Sequence, residues 1–449
     1  MGQKIDRTYL FERMPVGQAV RRQIIPSIAS QMVILLYNLA DTYFVGLLND
    51  AAQTAAVSLA YSMTLLMTAL ANLFAVGGAG RIAQLLGRRD RDGAREVCAV
   101  SFWFALLASA AFCVLFTLLS SPILRLCGAT GETYALACGY SLWVISVGGT
   151  FSILNTVLAN LIRADGSAFA ASMGVSAGGI INMLLDPLFV LPRFLGMGAE
   201  GAGLATAISN AAGMLILLGI IAARRRVGVV ALRPGDLRAA RRHIGRILRI
   251  GLPSAVQFLL TLVAVGALTK FMSLYDTAAV AALGIVKKLD MLPLYFSIGV
   301  ANGLLPLLAY NYSAENHERR HRIFLCGCAV AVGFSVVCVA GYEVFAPALV
   351  RIFIGDAQTI AYGTKLLRIM VLAMPMMSVC YPMITQFQAM GRMRESLICS
   401  ILRKGSLDIP LLFVLNALFP LYGCAAVQPI VDCICMIVAI YFYKKLPTA

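Results

Sequence analysis

Apolar stretches of about 20 residues, the length that crosses the hydrocarbon core of a bilayer, recur along this chain from one end to the other. They leave no room for a sizeable soluble domain. Hydrophobic residues at 60% against charged residues at 13% agree, so lipid is the solvent in which the chain folds. Spans are expected near 24–48, 54–86, 94–119, 134–161, 168–192, 201–223, 248–274, 278–311, 322–346, 361–388, 396–418 and 422–443. The expected fold is an all-α membrane protein of twelve transmembrane helices in two pseudo-symmetric six-helix bundles.

A net charge of +16 invites a nucleic-acid reading, and the positions of the basic residues argue against it. They alternate with the loops. One side carries Lys4, Arg7, Arg13, Arg21 and Arg22, then Arg88, Arg89, Arg91 and Arg95, then Arg163 and the connection from Arg224 to Arg249. Arg319, Arg320, Arg322, Arg392, Arg394, Lys444 and Lys445 continue the series. The opposite loops carry Asp50, Arg125, Glu132, Arg193, Glu200, Asp276, Arg351 and Asp356. By the positive-inside rule both termini are expected in the cytoplasm of a bacterial inner-membrane protein, with lipid headgroups and not nucleic acid as the partner of the charge. The first 22 residues show no apolar run ending in a small-residue cleavage site, so no cleavable signal peptide is expected. Most of the twelve cysteines fall inside spans without CxxC spacing, which suits packing better than metal or disulfide chemistry.

A shift of about 226 residues brings the two halves into register. RQIIPSIASQ from Arg22 lies over RIGLPSAVQF from Arg249, Pro26 near Pro253, Gly77 on Gly303, Arg125 on Arg351 and Gly166 close to Gly391. Asp186-Pro187 meets Ile409-Pro410. The division expected is an N-lobe over 1–223, a cytoplasmic linker over 224–247 and a C-lobe over 248–449. With six spans each, both copies start from the same face, as parallel repeats that rock about a central cleft do in transporters. A monomer is expected.

Ionisable residues inside spans are expensive and so mark function. In the first half the deep ones are Asp41 and Asp186, at similar depth, and Thr206 reaches the same layer. Asn182 and Asp186 are spaced i, i+4, as are Tyr37 and Asp41, with Asn38 alongside. Pro187 frees the carbonyl of Met183, adding to a set of hard oxygen groups suited to a proton or sodium ion. Two carboxylates in low dielectric do not both stay charged cheaply, so one is expected to hold a proton. The bland alternative is a packed polar network. The second half lacks this cluster, Leu268 standing where Asp41 would fall. It has Lys287, Lys288 and Asp290 in the eighth span and Arg403, Lys404 and Asp408 in the eleventh. Pairing of Lys287 with Asp290 and of Lys404 with Asp408 is one reading. The other is the wall of a substrate cavity, to which Met291, Met377 and Tyr381 would add, although helix packing also accounts for Met374, Met376, Met63 and Met67. His317-Glu318-Arg319-Arg320-His321 matches HExxH, yet it sits in a charged loop with no third ligand or apolar shell, so no metal site and no resident cofactor are expected.

The stretches IPSIASQMVILLYNLADTYFVG from Ile25, LIRADGSA from Leu161, NMLLDPLFVLPRFLGMGAEGAGLATAIS from Asn182 and LLAYNYSA from Leu307 resemble the multidrug and toxic compound extrusion (MATE) family. The likeness covers both halves. It implies a MATE-type fold, proton- or sodium-driven antiport of small, often amphipathic organic solutes, and no enzyme activity. Asp41, Asn182, Asp186 and Thr206 look like the N-lobe cation site of the DinF-like branch. Acidic residues that another branch carries in its seventh and tenth spans are missing here, and Lys287 and Lys288 weigh against a strictly cationic substrate. Lipid-linked precursor or metabolite flippases share the wider architecture. GRRDRDGAR from Gly87 imitates the second loop of major facilitators only in part, Arg91 standing where an acid belongs. A membrane-embedded enzyme or a sensor fits less well.

Overall fold

With no water in the bilayer core to bond the backbone, a helix satisfies every N–H and C=O within one segment. The computed structural model describes residues 7–48, 50–126, 131–225 and 228–445, the side chains of 51, 60–62, 126 and 132 excepted. Lys4, Cys127 and the Glu132 side chain lie outside the described residues. The first half holds α1 (Val16–Gly46), α2 (Ala51–Gly87), α3 (Arg91–Leu126), α4 (Gly131–Ser141), α5 (Gly149–Ala164), α6 (Ala168–Val190) and α7 (Gly198–Ala223). The second holds α8 (Ala240–Met272), α9 (Thr277–Ser313), α10 (His317–Arg351), α11 (Ala357–Val371), α12 (Met374–Ala389), α13 (Met393–Ile401), α14 (Asp408–Leu418) and α15 (Tyr422–Lys444).

Twelve crossings result because three of them are broken. Among the described residues nine helices are long and apolar enough to span by themselves, and two pairs, α4 with α5 and α11 with α12, are each bent by 44°. The remaining crossing joins α13 to α14 through a π-helical turn, Leu402–Ser406. Its pieces are short and it carries Arg403, Lys404 and Asp408, which is why hydropathy alone passes over it. A second π turn, Leu142–Val147, prolongs α4. Such turns hold one residue more than an α-helix needs, and they turn the following side chains to a new face. The helix α8 starts at Ala240, inside the stretch expected as linker, after a 3-10 turn at Pro234–Ala239.

The repeat is visible in how the helices start and cross. Asp50 caps α2 through Ala52 N, and Asp276 caps α9 through Ala279 N, the two acids holding equivalent places in the halves. The halves meet where α2 packs on α8 and α1 on α9. Glycine is required at both crossings. A Cβ on Gly77 would overlap the carbonyl oxygen of Ile247, and one on Gly303 would stand 2.8 Å from that of Gln23. The pair matched in sequence therefore lets the two equivalent interfaces close.

Ahead of α1, a π-helical turn at Tyr9–Arg13 lies across both halves on the face of the basic loops. Phe11, fully buried, stacks on Tyr310 at 4.6 Å. Arg319 donates to the carbonyls of Phe11 and Met14 at 2.8 and 2.6 Å, and Glu12 accepts from Tyr310 at 2.7 Å. These partners belong to the second half. Arg7 pairs with Asp165 at 3.0 Å and Arg89 with Glu12 at 3.2 Å, and these belong to the first.

Candidate cation site in the first half

Three helices that are far apart in sequence bring the acids together: α1 supplies Asp41, α6 supplies Asn182 and Asp186, and α7 supplies Thr206. The Thr206 hydroxyl donates to Asp41 Oδ2 at 3.4 Å, and Asn182 Nδ2 donates to Thr206 Oγ1 at 3.3 Å and to Asp186 Oδ1 at 3.4 Å. The i, i+4 spacing on α6 thus forms the bond it implies. Asp186, Asn182 and Asp41 are 0%, 1% and 7% exposed. Three of their acceptors, Asp41 Oδ1, Asn182 Oδ1 and Asp186 Oδ2, are buried with no hydrogen-bond partner. All three are oxygens, and what each lacks is a donor. Two carboxylates so placed in low dielectric are satisfied by a proton or a hard cation, and no basic side chain stands in the chain of bonds to do it instead.

Of the two neighbours expected here, one turns away. Tyr37 faces α6, its ring 3.1 Å from where a Cβ on Gly179 would stand. Asn38 does not join the acids. Its Nδ2 donates at 3.4 Å to the hydroxyl of Tyr295 on α9, so it ties α1 to the other half. Two further groups went unseen in the sequence. Tyr140 of α4, 6% exposed, lies within electrostatic reach of Asp41, Asp186 and Tyr37. Asn210 donates to the Thr206 carbonyl at 3.0 Å and accepts from Asn155 at 3.5 Å, carrying the polar line on into α5. Neutral residues within apolar spans give no charge signal, although amides and a tyrosine at this depth are the trace that could have marked them.

In the second half the local pairings do not form. Among the described residues neither Lys287 with Asp290 nor Lys404 with Asp408 makes an ion pair. Pairing runs between helices: Arg403 holds Asp432 at 2.8 Å, both 1% exposed. Gln428 donates to Asp432 at 2.9 Å and accepts from Lys404 at 2.6 Å. Asp432, in the middle of α15 and four residues after Gln428, was missed although it carries the same signal of depth and spacing. Tyr381 lies under the Arg403 guanidinium at 4.4 Å and accepts from Gln257 at 3.3 Å, so it supports the ion pair. Lys287, Lys404, Asp408 and Gln428 line a cleft between α8, α9, α11, α14 and α15. Lys288, Asp290, Met291, Met377 and Tyr381 are not in its wall, and Met377 is buried in packing.

The HExxH residues open α10 rather than lying in a loop, and the helix sets His317 and His321 on one face. Glu318 pairs with Arg322, His321 bonds to the Tyr443 hydroxyl, and the His317 ring lies 6.1 Å from that of Tyr312.

The sequence model of the MatE family matches residues 26–188 and again 253–414. The chain belongs to the MatE family. The double match falls on the two halves set out above, so the family unit is the half. Multidrug export protein MepA of Staphylococcus aureus is 29% identical over 97% of this chain and 95% of its own length. MepA of Staphylococcus saprophyticus is 27% identical over the same shares. Among solved structures, an outward-facing multidrug resistance MATE family transporter of the MOP superfamily superposes with a TM-score of 0.91 over 98% of each chain at 24% identity. A MOP superfamily transporter from Pyrococcus furiosus, described as having a binding pocket of reverse polarity, gives 0.91 at 25% identity over 99% of this chain and 98% of its own.

Proposed function

We propose that this MatE protein is a secondary active exporter of small organic solutes that exchanges them for a proton or a sodium ion bound at Asp41, Asn182, Asp186 and Thr206. One observation carries the reading. Two buried carboxylates are bridged by an amide and a hydroxyl from three different helices, and their free acceptors lack donors. Such a set changes its occupancy with the ion supply, and its helices shift with it, because bare carboxylates repel and loaded ones draw together. The names of the MepA relatives support multidrug export, and the lack of a second acid cluster of this kind among the described residues supports one coupling site in the N-lobe.

The lobes, 1–223 and 248–449, would rock against each other at the α2–α8 and α1–α9 crossings and open the cleft to either face in turn. Both termini would lie in the cytoplasm of a bacterial cell, in line with the loop charges. Transport into proteoliposomes with separately imposed pH and sodium gradients tests the proposal. Efflux driven by one of the gradients and abolished by Asp41→Asn is the expected result, and export indifferent to both would overturn it.

A further inference from the structure

The cleft of the second half occupies the place that the acid cluster holds in the first. Under the repeat, Leu268 stands for Asp41 and Ile409 for Asp186, and both residues line the cleft. The acids have been replaced by apolar side chains, and ions of other kinds have arrived from other positions. Lys404 is aimed by Gln428, itself held by the Arg403–Asp432 pair. Lys287 has no ion pair or hydrogen bond among the described residues. Asp408, 7% exposed, has an Oδ2 with no partner. An ammonium and a carboxylate thus face one cleft without a direct bond between them, within longer-range reach of each other and, for Lys287, of Asp290. Each keeps bonding capacity that a solute can use.

We propose that this cleft binds the head of a zwitterionic amphipathic solute, its carboxylate at Lys287 and Lys404 and its protonated amine at Asp408. The inference rests on the export reading above and names the substrate class. A purely cationic solute would leave the two lysines unanswered, and a purely anionic one would leave Asp408 beside a like charge. A zwitterion answers all three. Leu268, Met370 and Leu412 then cover an apolar tail.

Calorimetric binding to the purified full-length protein in lipid nanodiscs tests it with three compounds that share a phenyl tail: phenylalanine, phenethylamine and 3-phenylpropanoate. Phenylalanine is expected to bind at least about tenfold more tightly than either of the others, the size of effect that one charge-assisted contact gives. Lys287→Met should lower its advantage over the amine and keep its advantage over the acid. Asp408→Asn should do the reverse. If Lys287→Met does not fold, Lys404→Met reads the same preference. Equal binding of the three compounds, no binding of any, or loss of both preferences in each variant would overturn the proposal. Ion-driven efflux of the same three compounds from proteoliposomes separates the two readings. Efflux without the zwitterion preference removes the substrate class alone, and the preference without ion-driven efflux removes the export reading alone.

Discussion

Asp41 and Asp186 are joined through Thr206 and Asn182, so a change at one alters what the other can bind. Asp41→Asn and Asp186→Asn should each remove most ion coupling, and the double variant should be little worse than the worse single one. Ion-dependent substrate release, measured for all four members of the cycle, checks this. Strict additivity, with each single variant keeping half the coupling, would mean two separate sites. The Arg403–Asp432 pair makes a different demand. Asp432→Asn leaves a buried guanidinium without its counter-charge and should destabilise the protein by about 3–5 kcal/mol, while the joint Arg403→Met/Asp432→Leu replacement should recover much of that. Thermal unfolding in detergent reads both, and a double variant as unstable as the single one would argue against the ion pair as the cause. Depth and i, i+4 spacing were enough to find Asp41, Asn182, Asp186 and Thr206 in the sequence. They mark Asp432 too, in the middle of its span, but not its pairing with Arg403, 29 residues away on another helix. Nor could they tell that Asn38 turns to Tyr295, since spacing along α1 does not say which neighbour waits on each side.

At the scale of the element, the nine long helices and the two bent pairs all fall in apolar windows, and Pro26, Pro253 and the paired glycines located the repeat. The π turns at Leu142–Val147 and Leu402–Ser406 were not legible, because one surplus residue in a helix has no composition of its own. The start of α8 was placed late because its first turns carry Arg241, Arg242, Arg246 and Arg249, and a search for apolar residues ends before them. The glycine at the α2–α8 crossing can be tested against one on the same interface partner. Gly77→Ala drives a methyl into the Ile247 carbonyl and should cost about 1–3 kcal/mol, whereas Gly266→Ala on α8 meets nothing within 4 Å and should be neutral or slightly stabilising. Equal melting temperatures for the two variants would show that the crossing is looser than described. The HExxH stretch opens α10, where Asn316 caps the helix and Glu318 is taken by Arg322. His317→Ala/His321→Ala should leave transport nearly unchanged, and loss of bound zinc together with activity would reverse that expectation.

For the whole molecule, the loop charges lead us to expect residues 224–249 on the same side as both termini. Gly235 is exposed, and a side chain added there would meet nothing within 4 Å of its Cβ, so a cysteine is accommodated. It should stay unlabelled by an impermeant thiol reagent in intact cells and react after lysis, and labelling from outside would invert the topology. The turn at Tyr9–Arg13, fastened to both halves, has a consequence for the order of synthesis. Arg7 waits 158 residues for Asp165, but Glu12 waits 298 for Tyr310 and Phe11 waits 308 for Arg319. At about 5–20 residues per second the later wait lasts about 15–60 s, during which Phe11 is without its stacking partner. Ribosome-bound chains stopped before α9 should be cut by chymotrypsin after Phe11, and chains that extend past α10 should resist. The turn ahead of α1 is thus made early and becomes folded late.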